Sequence, residues 1–181
     1  MAARSWTVPC VIAATALLAA CAVVPDQAPQ WQNVTAGEGW RLAANGESRT
    51  DAYTVRAATD EDEFAEMWRA IGLGGERPEV DFDDEVAVSF GHGIGSSCPE
   101  VRLDAIVIGE GVVHSVASDP ITDQFGSPRA CTADLVGAAV FVVGIRRSAV
   151  GDESFTLQLS ERTVCGGDDC GFPEMIVVRL P

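Results

Sequence analysis

Thr59-Asp60-Glu61-Asp62-Glu63-Phe64-Ala65-Glu66-Met67-Trp68-Arg69-Ala70-Ile71-Gly72, followed after Pro78 by Val86-Ala87-Val88-Ser89-Phe90, decides the fold class. In the first stretch Phe64, Met67, Trp68 and Ile71 fall at i, i+3, i+4 and i+7, one apolar stripe of an α-helix. Thr59 is the expected N-cap. The acidic run from Asp60 to Glu63 then fills the first turn, where negative charge suits the helix dipole. Gly72, Gly74 and Gly75 end the helix. The acidic run is therefore read as helix-start chemistry, not as a metal site.

In the second stretch the period is two, and it stays two to the end of the chain. Val86, Val88 and Phe90 alternate with Ala87 and Ser89. Val101, Leu103, Ala105 and Val107 are expected on one face, with Arg102 and Asp104 opposite. Gly109-Glu110-Gly111 signals a turn, with Val112 to Ser118 as hairpin partner. Ala138 to Ile145 is apolar on both faces, as a central strand is. Phe155, Leu157 and Leu159 alternate with polar residues, and Ile176, Val178 and Leu180 repeat the pattern. Trp40 to Ala43 and Ala52 to Arg56 are weaker strand candidates. One helix and six to eight strands without strand–helix–strand spacing predict an α+β, mainly β domain. The expected form is antiparallel sheets or a sandwich carrying one packed amphipathic helix.

Outward from this domain, the amino-terminal end reads as an export signal. Arg4 precedes an apolar run from Val8 to Ala20, which closes on Leu18-Ala19-Ala20-Cys21. Basic, apolar, then small residues is the order of a secretory signal. A cysteine directly after the small residues is the acceptor that a lipoprotein signal peptidase requires. A single transmembrane helix is the competing reading, but Val8 to Val24 is short of the roughly 20 residues that a span takes. The expected organisation is a signal peptide over 1–20, a lipidated Cys21 with a tether over 21–38, and one globular domain over 39–181. Acyl chains of the palmitate type contribute about 0.8 kcal/mol per buried CH₂, so two of them hold a protein to a membrane.

Charge excludes several functions. The chain has 12 basic residues, all arginine, against 27 acidic ones, a formal net charge of −15. Nucleic-acid binding draws its affinity from Lys and Arg neutralising phosphates, so no nucleic-acid partner is expected. The absence of lysine excludes Schiff-base chemistry and the Walker phosphate loop. With Cys10 in the signal and Cys21 lipidated, Cys98, Cys131, Cys165 and Cys170 remain. In an oxidising compartment four cysteines suggest two disulfides with three possible connectivities. Cys98–Cys131 and Cys165–Cys170 are the expected pairs. The spacing fits no zinc motif, and no cofactor or metal is expected.

Catalytic signatures are sparse. There is no Gly-x-Ser-x-Gly elbow. Gly91, His92 and Gly93 read as a glycine-rich loop after a strand and form the candidate binding loop, with Ser96 and Ser97 nearby. His114 is expected as a hydrogen-bonded core or edge histidine. Asp81, Asp83, Asp84 and Glu85 cluster, as do Asp119 with Asp123 and Asp168 with Asp169, but none matches an EF-hand loop.

Several residues together resemble the PrcB C-terminal-type domain, a family of lipoproteins that stabilise a surface protease complex. They are Gly46-x-Ser48, Phe64-x-x-x-Trp68, Pro78-x-Val80-Asp81-Phe82-x-x-Glu85-x-x-Val88 and Gly91, within residues 39–115. Past that glycine this chain reads Ser96-Ser97-Cys98-Pro99, where the family has a Gly-Gly-Tyr-type segment. The resemblance implies an exported, mainly β domain with a non-catalytic accessory role. From the residues themselves, Val80 and Phe82 should point inward and Asp81 and Asp83 outward, with capping of a turn or acceptance of backbone N–H bonds as the alternative for Asp81. The expected function is a non-enzymatic, membrane-anchored accessory or partner-binding module of an envelope complex. The alternatives are a small-ligand or calcium-binding envelope protein and a hydrolase using carboxylates or His92.

Overall fold

The computed structural model describes residues 32–97, 100–118, 134–151, 153–159, 164–166, 169–171 and 175–181. Cys21, Cys98, Cys131 and the pair Asp119 and Asp123 lie outside them. The domain is mainly β, with strands β1 (Ala36–Gly37), β2 (Trp40–Ser48), β3 (Val55–Ala58), β4 (Glu85–Ile94), β5 (Arg102–Gly109), β6 (Val112–Ser118), β7 (Gly137–Arg146), β8 (Ser154–Gln158), β9 (Val164–Gly166), β10 (Asp169–Gly171) and β11 (Met175–Arg179). Helix α1 spans Glu61–Ile71, and a single turn, α2, spans Arg147–Val150.

One sheet has the order β1-β2-β7-β4-β3 and the other β11-β8-β6-β5; β9 and β10 form a separate hairpin. The nine strands of the two sheets exceed the six to eight expected. Part of the excess is two-residue β1, too short to show a period. The weak candidates are strands with moved limits: the first runs on to Ser48, and the second begins at Val55.

Strands β4 and β7 pair over ten positions, from Glu85↔Arg146 to Ile94↔Gly137. Both are covered on both faces, which is why Ala138 to Ile145 shows no polar alternation. On one face Val86, Val88, Phe90, Phe141, Val143 and Ile145 meet Leu103, Ile106, Val113, Phe155 and Leu157 of the second sheet. On the other, Ala87, Val140 and Val142 meet Phe64, Met67 and Ile71 of α1. The layers are therefore helix, sheet and sheet. Ser89 is fully buried on β4, and its Oγ is the buried side-chain polar atom without a hydrogen-bond partner among the described residues. A buried hydroxyl without a partner is a net cost. Ser89→Ala is expected to leave stability unchanged or raise it by up to about 1 kcal/mol. Urea unfolding checks this, and a clear loss of stability would contradict it.

Helix α1 begins one residue later than expected. Asp60, not Thr59, is the N-cap, and its Oδ1 accepts the Glu63 N–H at 2.8 Å. Glu63 Oε2 reaches back to accept the Thr59 N–H at 2.7 Å and the Thr59 hydroxyl at 2.9 Å. Thr59 and Asp60 are both capping types, and these contacts decide between them. Trp68 is half-buried, whereas Phe64, Met67 and Ile71 are buried.

The expected face of β5 also changes partway. A bulge between Leu103 and Ala105 shifts the register against β6. Beyond it Ile106 turns inward and Val107 outward, 42% exposed. One extra residue reverses a period-two pattern. The β5–β6 hairpin turns at Glu110–Gly111 as expected. Strand β6 pairs with β8 in parallel, the one parallel pair among the described strands; the chain passes between them through β7 of the other sheet.

The registers define two ends of the sandwich. At the near end Ile94 faces Gly137, Arg102 faces Ser118 and Met175 faces Gln158. At the far end Gly39 O accepts from Arg146 N, Asp84 O from Arg147 N and Gly111 O from Thr156 N. Residues Asn33 to Gly37, expected within the tether, bond to the sheets. Val34 N donates to Leu103 O at 2.9 Å, Asn33 Oδ1 accepts from Leu103 N at 2.9 Å, and Leu42 N donates to Thr35 O at 2.7 Å. The chain thus enters the described domain beside Leu103 at the start of β5 and, three residues after Val34, pairs with Trp40 next to the far end.

Candidate functional site

Gly91, His92 and Gly93 do not form a loop; they are part of β4, paired with Val140, Ala139 and Ala138 of β7. The glycines serve close approach. A Cβ on Gly91 would lie 1.7 Å from the carbonyl oxygen of Asp51, and one on Gly93 would lie 2.4 Å from the Tyr53 ring. The turn between β2 and β3 lies against the strand here, and Gly91 N donates to Thr54 O at 2.8 Å. Tyr53 holds a left-handed backbone, φ 60°, a conformation uncommon for a non-glycine residue. Asp51 is buried and accepts two hydrogen bonds from Arg56, at 2.8 and 3.1 Å.

His92 points the other way, between the sheets. Its Nε2 lies 2.9 Å from Ser115 Oγ on β6, and its ring stands edge-on to Phe141 with centroids 5.9 Å apart. Ser115 is fully buried, and its hydroxyl donates to the Leu159 carbonyl. With that proton committed, the Ser115 oxygen accepts from His92 Nε2–H. In this tautomer His92 Nε2 holds a proton and does not take one from Ser115. The chain His92–Ser115–Leu159 is thus a polar tie across the sandwich. No local signal in the sequence points to Ser115 as this partner, because it lies 23 residues away on another sheet.

Burial lowers the His92 pKa to about 4. The unfolded imidazole binds a proton near pH 6.5, and the folded one does so only near pH 4. The unfolded state therefore binds more protons across that window, and stability falls as pH falls. Above about pH 6.5 both states are neutral and the loss is absent. Between there and pH 4 the loss amounts to about 3 kcal/mol, at about 1.4 kcal/mol per unit. Urea midpoints of wild type and His92→Gln between pH 7.5 and 4.5 isolate this share from the carboxylates. The variant is expected to show the flatter profile; equal slopes would refute the assignment.

The carboxylates around residue 81 diverge. Asp81 Oδ1 accepts the Asp83 N–H at 3.1 Å and its carbonyl accepts from Asp84 and Glu85, so Asp81 caps a turn. Glu85 instead accepts two bonds from Arg41, at 2.8 and 2.6 Å. These hydrogen bonds raise the Arg41 pKa, with burial opposing. Among the described residues no three His, Cys, Asp or Glu side chains are grouped to hold a metal ion. An open cleft of about 800 Å³ lies between Arg41, Glu61, Arg77 and residues 78–81. Its cations are engaged: Arg41 also donates to Glu79 O at 3.0 Å, and Arg77 pairs with Glu61 while lying 5.3 Å over the Phe64 ring. Val80 and Phe82 are partly buried on the helix side, as expected. His114 is buried on β6.

Cys165 and Cys170 are direct register partners in the β9–β10 hairpin. Opposed Cα atoms in an antiparallel pair lie about 4.5–5.5 Å apart, within the roughly 4.4–6.8 Å that a disulfide bridges.

No protein-family model, curated protein or solved structure matches the chain.

Proposed function

We propose that this chain is an exported lipoprotein, anchored through Cys21, whose sandwich domain acts as a non-enzymatic accessory or partner-binding module of an envelope complex. The observation that carries the reading is the order Arg4, apolar run, Leu18-Ala19-Ala20-Cys21. The use of polar groups supports it. His92 ties two layers together, Asp51 holds Arg56, and Glu85 holds Arg41. The resemblance to the PrcB-type domain points to the same accessory role.

Under this reading the domain folds outside the cytoplasm with its four remaining cysteines paired. A non-reducing peptide map is expected to give Cys165 linked to Cys170 and Cys98 to Cys131. Any other linkage would contradict the register argument.

In-cell crosslinking of the anchored protein, with Cys21→Ser as control, tests the function. The expected result is one near-stoichiometric partner, lost in the control. Recovery of the lipoprotein alone would overturn the accessory role. A melting temperature lowered by a chelator would favour a calcium-binding protein instead, since a native-state ligand stabilises by mass action.

A further inference from the structure

We infer that β11 is a self-pairing edge, through which two copies of the chain join their four-stranded sheets into one; the pairing needs no lipid anchor. The first observation is where the backbone groups of β11 point. Leu180 N donates to Glu153 O at 2.9 Å, in step with the β11–β8 register. Hydrogen-bonded and non-hydrogen-bonded pairs alternate along an antiparallel ladder. Val178 and Ile176 are therefore bonded to Phe155 and Leu157, while Met175, Val177 and Arg179 turn their N–H and C=O groups away from β8. Thr156, opposite Val177, has the matching phase: its N–H goes to Gly111 O at 2.7 Å, on the side of β6. Strand β11 is the last of its sheet, so these outward groups meet no further strand among the described residues. The same three side chains are exposed, and Val177, at 68%, is the most exposed large hydrophobic among the described residues.

The second observation is that the other sheet edges are blunted. A row of unpaired backbone groups is a template for another strand, and proteins suppress it with short strands, bulges or covering segments. Strand β1 has two residues. Strand β3 has four, with Val55 and Ala58 at its ends both buried. Strand β5 carries a bulge, and the N–H and C=O of Leu103 are taken by Asn33 and Val34. Strand β11 has none of these devices: its five residues include no proline, and they pair with β8 without a register shift.

The residues of the edge define its occupant. Only a strand supplies the complementary row of donors and acceptors, and on a second copy β11 is the open one. Two β11 strands running antiparallel and centred on Val177 bring Val177 opposite Val177 and Met175 opposite Arg179, each pair exchanging two hydrogen bonds. Arg179 is the only charged residue of the strand. In this register the two arginines stand at opposite ends of the pair, so no like charges face each other. The chain has a formal net charge of −15, and a strand without carboxylates lets a second copy approach without setting acidic groups opposite one another. The two Val177 side chains, neighbours at the centre, leave water together.

The test is the mass of the full chain by sedimentation equilibrium in a density-matched detergent, over a wide range of protein concentration. Wild type is expected to rise to twice the mass of one chain. Val177→Pro is expected to stay at the mass of one chain with its urea midpoint unchanged, because the N–H it removes faces outward and an edge strand tolerates proline there. Val177→Glu keeps the backbone donor and sets two carboxylates face to face; it is expected to stay at the mass of one chain as well, so the outcome does not depend on how the proline folds. Val177→Cys is expected to be linked to a second copy by a short bismaleimide, whereas Val107→Cys, exposed on the opposite edge strand of the same sheet, is not. Wild type at the mass of one chain throughout would overturn the inference. A doubled mass that persists in both Val177→Pro and Val177→Glu would place the contact elsewhere and overturn it too. Linking of Val177→Cys in cells to a different protein would give the edge to that protein and overturn the second copy.

Discussion

Gly91→Ala is expected to destabilise the domain by about 3 kcal/mol or more, at or beyond the upper end of what overpacking usually costs. The added Cβ would sit 1.7 Å from the Asp51 carbonyl oxygen and 2.9 Å from its carbon, both backbone atoms. Backbone cannot swing aside as the tip of a side chain can. The turn is held from both directions: Gly91 N donates to Thr54 O, and the Thr54 hydroxyl donates to Asp51 O at 3.0 Å. Moving it also disturbs the buried Asp51–Arg56 pair, whose carboxylate has no water to fall back on. Gly74→Ala is the control, because nothing lies within 4 Å of its Cβ position. Urea unfolding of the two variants checks the expectation. Equal, small effects would mean that residues 51–54 do not lie on β4.

Phe64→Ala is expected to cost about 3–5 kcal/mol, the range for deleting a buried aromatic side chain. Phe64 is fully buried between α1 and the first sheet. Its ring stands edge-on to Phe82, with centroids 5.8 Å apart, and to Trp68 at 6.3 Å. Arg77 covers it at 5.3 Å. Truncation therefore opens a cavity and removes the support on which the 76–84 segment rests. That segment carries Asp81 and leads directly into β4. Trp68→Ala should cost clearly less, because the indole is half-buried and part of its surface stays wet in either state. Phe64→Leu, which keeps most of the volume, should cost about 1 kcal/mol. Chemical denaturation of the three variants gives the order. A Trp68→Ala effect larger than that of Phe64→Ala would mean that α1 is rotated about its axis.

The arginines explain how an acidic chain keeps its irregular segment in place. Arg147 donates through Nε to Phe82 O at 3.0 Å and through Nη2 to Thr59 O at 2.9 Å. It thereby joins the start of α1, the turn before β4 and the end of β7. Arg41 and Arg77 do the same for residue 79 and the first turn of α1. A planar guanidinium can satisfy two carbonyls at once, which a lysine ammonium does with less geometric definition. This suits a sequence that uses arginine and no lysine.

The sequence by itself determined what depends on local periodicity and turn chemistry. The apolar stripe at Phe64, Met67 and Ile71, the alternation in β4, β8 and β11, the turn at Glu110–Gly111 and the two-faced burial of β7 are properties of short windows. Each is written in the residues that form it. Only the tertiary structure decided what depends on residues far apart. Thr59 and Asp60 are equally good caps until the Glu63 N–H is donated to the Asp60 carboxylate and the Glu63 carboxylate holds Thr59 outside the helix. The β5 bulge has no local mark, because Asp104 becomes the extra residue only against β6. The glycines at 91 and 93 read as a loop because their reason, a turn some 40 residues earlier pressed against the strand, is absent from their own neighbourhood. His92 acquires its role from Ser115 on the opposite sheet and its low proton affinity from burial between the two. Periodicity records which side of an element is dry; which element does the drying is settled by long-range contacts whose free energy exists only once the layers have closed.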